Sequence, residues 1–273
     1  PLIFVSLETN PDLQEQMLEL GAMDYLIKPV QPGILKRKIA NHIQAHRKHS
    51  TLHSHNILLH EELAETINEL QLIQDVTVLA LATLTEEHNS ETGEHIWRTQ
   101  EYVKVLVQAV RHTERYSGIL SDKDAHLIYT SAALHDIGKI GIPDNILNKP
   151  ASLTEAEMEV MKRHAMIGYN AFAQAETLYE NTDNSFLRYA REICGSHHEK
   201  WDGSGYPHGL QGEEIPLSAR IMAIADVYDA LVTKRSYKAP FEHQIAVAII
   251  ARERGAAFDP FLVEVFLEYH QEF

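Results

Sequence analysis

Two short stretches of this chain concentrate side chains able to hold a metal ion. In SAALHDIGKIGIPD, His135 and Asp136 are adjacent at the end of an apolar run, and in GSHHEKWDGSGYPHG, His197 and His198 precede a loop rich in glycine and proline. Either pair alone carries little weight, because exposed polar pairs at helix ends are common. The surroundings change that. Glu91 and His95 in ETGEH are four apart and share a helix face, His164 lies in MKRHAMIG, and Asp226 interrupts the apolar stripe of IMAIADVYDAL. A buried acid beside an imidazole is costly unless something compensates it, and a metal ion does. Eight nitrogen and oxygen donors are too many for one ion. Two or three ions bridged by a carboxylate and a water would use them all, and ions about 3.5 to 4 Å apart suit in-line displacement at phosphorus. Histidine and carboxylate donors without thiolate favour iron or manganese, with nickel, zinc or magnesium behind them.

The elements that must deliver these groups read as helices. From Leu84 onward the pattern is helical except for two Gly/Pro-rich loops, GKIGIPDNILNKPAS and DGSGYPHGLQGEEIP. Between Ile34 and Glu86 there is no proline or glycine, and Leu59, Leu63, Ile67, Leu70, Ile73 and Thr77 recur at spacings of three and four. One or two long helices follow, with a seam suited either to dimerisation or to packing on the same chain. His42, His46, His49 and His53 share one face of that helix. No carboxylate is interleaved with them, so they read as a solvated polar stripe before a metal stripe. Upstream, PLIFVS and DYLIKP read as strands flanking an amphipathic helix, DLQEQMLELGA, that ends at Gly21, with another helix from about Gln31. This is half of a doubly wound α/β arrangement. Beginning at Pro1, inside an apolar run and without methionine, the chain reads as a fragment.

Composition limits the partners. The 273 residues suffice for one large domain or two modest ones, and 44% hydrophobic with 23% charged residues is ordinary for a globular protein. A net charge of −15 argues against a nucleic-acid polymer or an anionic membrane surface. It leaves room for a small anion held by a few local cations. The lone cysteine, Cys194, excludes an intramolecular disulfide and a Cys-rich zinc site and fits a reducing cytoplasm. There is no signal peptide and no apolar run approaching the ~18 to 20 residues that span a bilayer.

The motifs HDIGKIGIPD and HHEKWDGSGYP resemble those of the HD-GYP family, the HD-superfamily phosphodiesterases that hydrolyse the bacterial second messenger cyclic di-GMP. By position, the resemblance implies metal ligation by His95, His135, Asp136, His164, His197, His198 and Asp226, with Asp136 bridging. Glu91 matches the acidic position of members that hold three ions. Lys139 resembles the lysine that touches the catalytic water or a phosphate, and Arg235 and Lys238 resemble the pair that binds substrate phosphates. Gly205, Tyr206 and Pro207 form the GYP triplet, which lines the site and is linked in the family to contacts with diguanylate cyclase domains. Residues 1–48 resemble the C-terminal half of a response-regulator receiver domain. Ser6 and Lys28–Pro29 match its phosphoryl-contacting positions, with a cis bond expected before Pro29. The acidic cluster and the phosphate-accepting aspartate belong to an N-terminal half that this sequence does not include.

The resulting expectation is a mainly α protein: a partial receiver over residues 1–48, a helical linker over 49–86, and an HD-GYP bundle over 87–273. It implies metal-dependent hydrolysis of cyclic di-GMP to pGpG, with GMP after a second round. A homodimer through the linker, a sensor kinase as partner and a cytoplasmic location go with it. Rival readings are a cyclic di-GMP receptor that does not turn it over, a phosphodiesterase for another cyclic dinucleotide, and an oxygen-activating or oxygen-sensing di-iron protein.

Overall fold

The structure, a computed structural model, describes residues 2–7, 9–88, 94–178, 185–234 and 239–273. Contacts group the chain into two units, residues 1–72 and 73–273.

In the first unit, β1 (Ile3–Ser6) pairs in parallel with β2 (Asp24–Ile27), in a register from Ile3 opposite Asp24 to Ser6 opposite Ile27. Helix α1 (Pro11–Glu19) joins them. Its start follows from sequence: the Asn10 side chain accepts from the Asp12 amide at 3.0 Å, and Pro11 has its φ preset for a first turn. It stops two residues before the expected end at Gly21, because Gly21 at φ +95° takes the left-handed conformation that closes the helix. The Lys28–Pro29 peptide is cis.

Helix α2 (Pro32–His88) is one uninterrupted element of 57 residues, as a stretch without breakers allows. The expected boundaries at 48/49 and 86/87 both fall inside it. Asp24 of β2 accepts from Lys38 Nζ at 2.6 Å and pairs with His42 Nε2 at 3.0 Å, while His46, His49 and His53 are exposed.

The second unit holds the last turns of α2, which bury Val78, Ala82, Thr85 and Glu86. It continues with α3 (Glu94–Arg111), α4 (Asp122–Ala132), a 3-10 turn over Ile137–Gly141, α5 (Asp144–Leu147), α6 (Glu155–Met161) and α7 (Arg163–Leu178). Helices α8 (Ser185–Ser196), α9 (Leu217–Val232), α10 (His243–Arg252) and α11 (Pro260–Tyr269) complete it. In α3 the buried positions Ile96, Val103, Leu106, Val107 and Val110 recur at helical spacing and form one apolar stripe. Helix α9 is apolar on nearly every side and buries ten of its 16 residues, which makes it the central element of the bundle. Ile221, Met222 and Ile224 of α9 share the main core with Val103 and Leu106 of α3, Ile128 of α4 and Leu262 and Phe266 of α11. A smaller core joins Val78 and Ala82 of α2 to Ile96, Leu134, Ala190 and Cys194. The Cys194 thiol donates to the Leu134 carbonyl at 3.0 Å, and burial pushes its ionisation up. The protein is mainly α, as the sequence pattern indicates.

Candidate metal centre

Among the described residues, the expected ligands stand near helix ends or, for Asp226, within a helix. His95 is in the first turn of α3, and His135 and Asp136 lie in the turn between α4 and the 3-10 segment. His164 opens α7, His197 and His198 directly follow α8, and Asp226 is on α9. Glycines draw these ends together. A Cβ on Gly138 would stand 2.0 Å from the His164 carbonyl oxygen and 2.7 Å from the Gly168 nitrogen. The turn carrying Asp136 can therefore cross the start of α7 only without a side chain. Helices α7 and α8 approach through two further glycines: Gly168 lies against Cys194, and Gly195 against the Tyr169 ring.

The ligand atoms form two overlapping groups. Asp136, His164, His197 and His198 each offer one atom, all within 4.8 Å of one another, and His95, His135 and Asp136 do the same. Asp136 belongs to both. Its Oδ1 is 3.1 Å from His164 Nε2 and its Oδ2 is 3.3 Å from His135 Nε2. Asp226 stands beside them, with Oδ1 3.8 Å from His95 Nε2.

The rings are oriented for ligation through Nε2. His135 Nδ1 donates to the Ala132 carbonyl at 2.9 Å, His164 Nδ1 to Met161 at 2.7 Å, and His197 Nδ1 to Ile193 at 2.9 Å. A carbonyl only accepts, so in the neutral ring the proton sits on Nδ1 and Nε2 keeps its lone pair. Nε2 of His135, Nε2 of His197 and Oδ1 of Asp136 are buried without a hydrogen-bond partner among the described residues. Three such atoms in one place are expensive, and a divalent ion would satisfy them together. The donor set therefore fits a metal.

Electrostatics agree. Burial and the neighbouring His135 hold His197 down to about 4, and burial with His197 and His164 holds His198 well below the ordinary imidazole range. Both rings stay neutral, the form that ligates. His135 is pushed up to about 9: burial favours its neutral form, but the Asp136 carboxylate with Asp226 and Glu86 outweighs that. Asp136 resists burial and stays ionised because Lys139, with Nζ at 2.8 Å from Oδ2, and His135 flank it. The spot thus attracts positive charge.

The loop after His198 lies over the same place. Tyr206 stacks on His198 with ring centroids 4.7 Å apart, and the Tyr206–Pro207 peptide is cis. Gly205 is required there, since a Cβ would come within 2.3 Å of the Lys200 nitrogen. The loop is anchored by Glu199, a buried carboxylate that accepts from the amides of His208 at 2.7 Å and Leu210 at 3.1 Å. Sequence reasoning passed over Glu199, and it also passed over Asp229 and Arg98. Asp229 is buried on α9, where it accepts from His95 Nδ1 at 2.7 Å and from Arg98 Nε at 2.6 Å. Its signal was present: a second acid three positions after Asp226 in an apolar helix is as conspicuous as the first. Glu91, Arg235 and Lys238 lie outside the described residues.

A helical bundle with a His/Asp cluster at its helix ends defines the class, and this chain belongs to the HD domain family, whose model matches residues 119–262. Among curated proteins it is similar to a probable cyclic di-GMP phosphodiesterase of Vibrio cholerae serotype O1, with 46% identity over all of this chain and 62% of that protein. It is also similar to the cyclic di-GMP phosphodiesterase response regulator RpfG of Xanthomonas campestris pv. campestris, with 35% identity over 98% of this chain and 67% of that protein. A third relative, a 3'3'-cGAMP-specific phosphodiesterase of V. cholerae, is 40% identical over 80% of this chain and 38% of its own length.

Proposed function

We propose that this chain carries a metal-dependent phosphodiesterase that hydrolyses cyclic di-GMP to pGpG, with GMP after a second round. The observation that carries the reading is the pair of donor groups sharing Asp136, with ring nitrogens buried and unpaired inside them. His95, His135 and Asp136 would hold one ion and Asp136, His164, His197 and His198 another, with Asp226 beside the first and Glu91 available to a third. Two or three bound ions, iron or manganese before nickel, zinc or magnesium, would supply Lewis acidity that lets a water ionise near neutral pH and positive charge to steady the phosphate oxygens.

The chain's own groups do the rest. Lys139 keeps Asp136 ionised and places an ammonium beside the reacting phosphate. Tyr206, seated on His198 between Gly205 and Pro207, offers a ring face to a base or ribose, and Lys162 lies 5.4 Å from that ring. Arg235 and Lys238 grip the phosphates. Residues 1–48 serve as the receiver portion of a response regulator, with Ser6 and Lys28 at its phosphoryl site and a sensor kinase upstream. Leu59, Leu63, Leu70 and Ile73, all exposed on α2, support a homodimer through the linker. Diguanylate cyclase domains are the further partners, and the cytoplasm is the compartment. No helix of the described residues is long and apolar enough to cross a membrane.

The test is incubation of metal-loaded protein, purified without oxygen, with cyclic di-GMP, followed by product chromatography and metal analysis. Conversion to pGpG is expected, with both metal content and turnover lost in the His135→Ala/Asp136→Ala double variant. Intact substrate after long incubation with loaded protein overturns the reading. The relative named for 3'3'-cGAMP supports a second reading, in which the preferred dinucleotide carries one adenine; parallel turnover of the two substrates separates them.

A further inference from the structure

Among the four histidines with a bonded Nδ1 in the centre, one is held differently. The Nδ1 atoms of His135, His164 and His197 donate to carbonyls three or four residues upstream in their own segments. His95, the second residue of α3, has a side-chain partner where the other three have a carbonyl. Its Nδ1 donates instead to Asp229 Oδ2, 134 residues away on α9, at 2.7 Å. Asp229 is itself clamped by Arg98, one turn along α3 from His95, through Nε to Oδ1 at 2.6 Å and Nη2 to Oδ2 at 3.1 Å. Asp229 is 1% exposed, so its carboxylate would be costly there without both partners.

We infer that Asp229, held by Arg98, is a positioning residue that fixes the His95 tautomer, aims Nε2 at the metal site and strengthens it as a donor. The chemistry is that of a carboxylate behind a metal-bound imidazole: the N–H···carboxylate bond holds the proton on Nδ1 and raises the basicity of Nε2. Arg98 neutralises the charge that would otherwise weigh on the buried site, and its bidentate grip fixes the carboxylate plane. This rests on His95 being a ligand, as proposed above. The alternative is that the pair merely ties α3 to α9.

The test measures Zn2+ affinity of the full chain by chelator competition, beside its unfolding midpoint without metal, for wild type, Asp229→Asn and Asp229→Ala. Asparagine can accept the His95 proton but brings no charge, so the order expected is wild type, then Asn, then Ala, with Ala weakened about 10- to 100-fold. A purely structural tie would lower the midpoint and leave the Zn2+ affinity of folded protein unchanged, which overturns the inference. In 15N spectra of Zn2+-loaded wild type, the His95 ring, identified by its loss in His95→Ala, should carry its proton on Nδ1. A proton on Nε2, or ligation through Nδ1, overturns the inference without recourse to any Asp229 variant. Wild type that takes up no Zn2+, manganese or iron overturns the metal reading itself; tight and equal binding by wild type and Asp229→Ala overturns only the role of Asp229.

Discussion

Gly138 stands where the chain leaving Asp136 crosses the first turn of α7, and a methyl group there would meet the backbone at 2.0 Å. Backbone cannot swing aside as a side chain can, so Gly138→Ala must push the 3-10 turn off α7 and separate Asp136 from His164. We expect a loss of about 1 to 3 kcal/mol in urea unfolding, the ordinary cost of overpacking. Metal affinity should fall with it, read by competition with a chelator. The donors gathered at this centre were legible in sequence through two long motifs, HDIGKIGIPD and HHEKWDGSGYP, and through Asp226, an acid set in an apolar helical stripe. Asp229 and Glu199 were not singled out because their meaning depends on partners: one lies 134 residues from His95, the other accepts from amides on the far side of a loop.

Among elements, the link between β2 and α2 in the first unit has a definite acid response. Burial disfavours the Asp24 carboxylate, but its bonds from Lys38 and His42 outweigh that and hold it down to about 2, against 3.8 ordinarily. The folded value lies below the unfolded one, so the contribution is fully present above roughly pH 4 and is lost as pH falls toward 2. The unfolding midpoint of wild type should therefore exceed that of Asp24→Asn by a constant margin at pH 5 to 7, and the margin should shrink below pH 4. The extent of α2 was readable from its lack of breakers, and the ends of α1 and β1 less so, since capping geometry decides them and composition does not.

For the molecule as a whole, a centre that assembles side chains from three helices and two turns links metal occupancy to folding. A ligand at about 100 times its dissociation constant stabilises by about 2.7 kcal/mol, so chelation should lower the melting temperature and manganese should restore it. The His135→Ala/Asp136→Ala protein should melt at one temperature with or without metal. That the whole is a mainly α protein was visible at once from its periodicity. The division at residues 72 and 73 was not, because it falls within a continuous helix whose local pattern does not change there.

The burial of Cys194 has a practical consequence. Its thiol is fully enclosed, bonded to the Leu134 carbonyl and pushed away from the reactive thiolate. The native chain therefore presents no background to thiol reagents while it is folded. Cysteines placed one at a time along the exposed face of α2 can be cross-linked or labelled without first engineering the natural one away, so proximity between two copies becomes readable residue by residue.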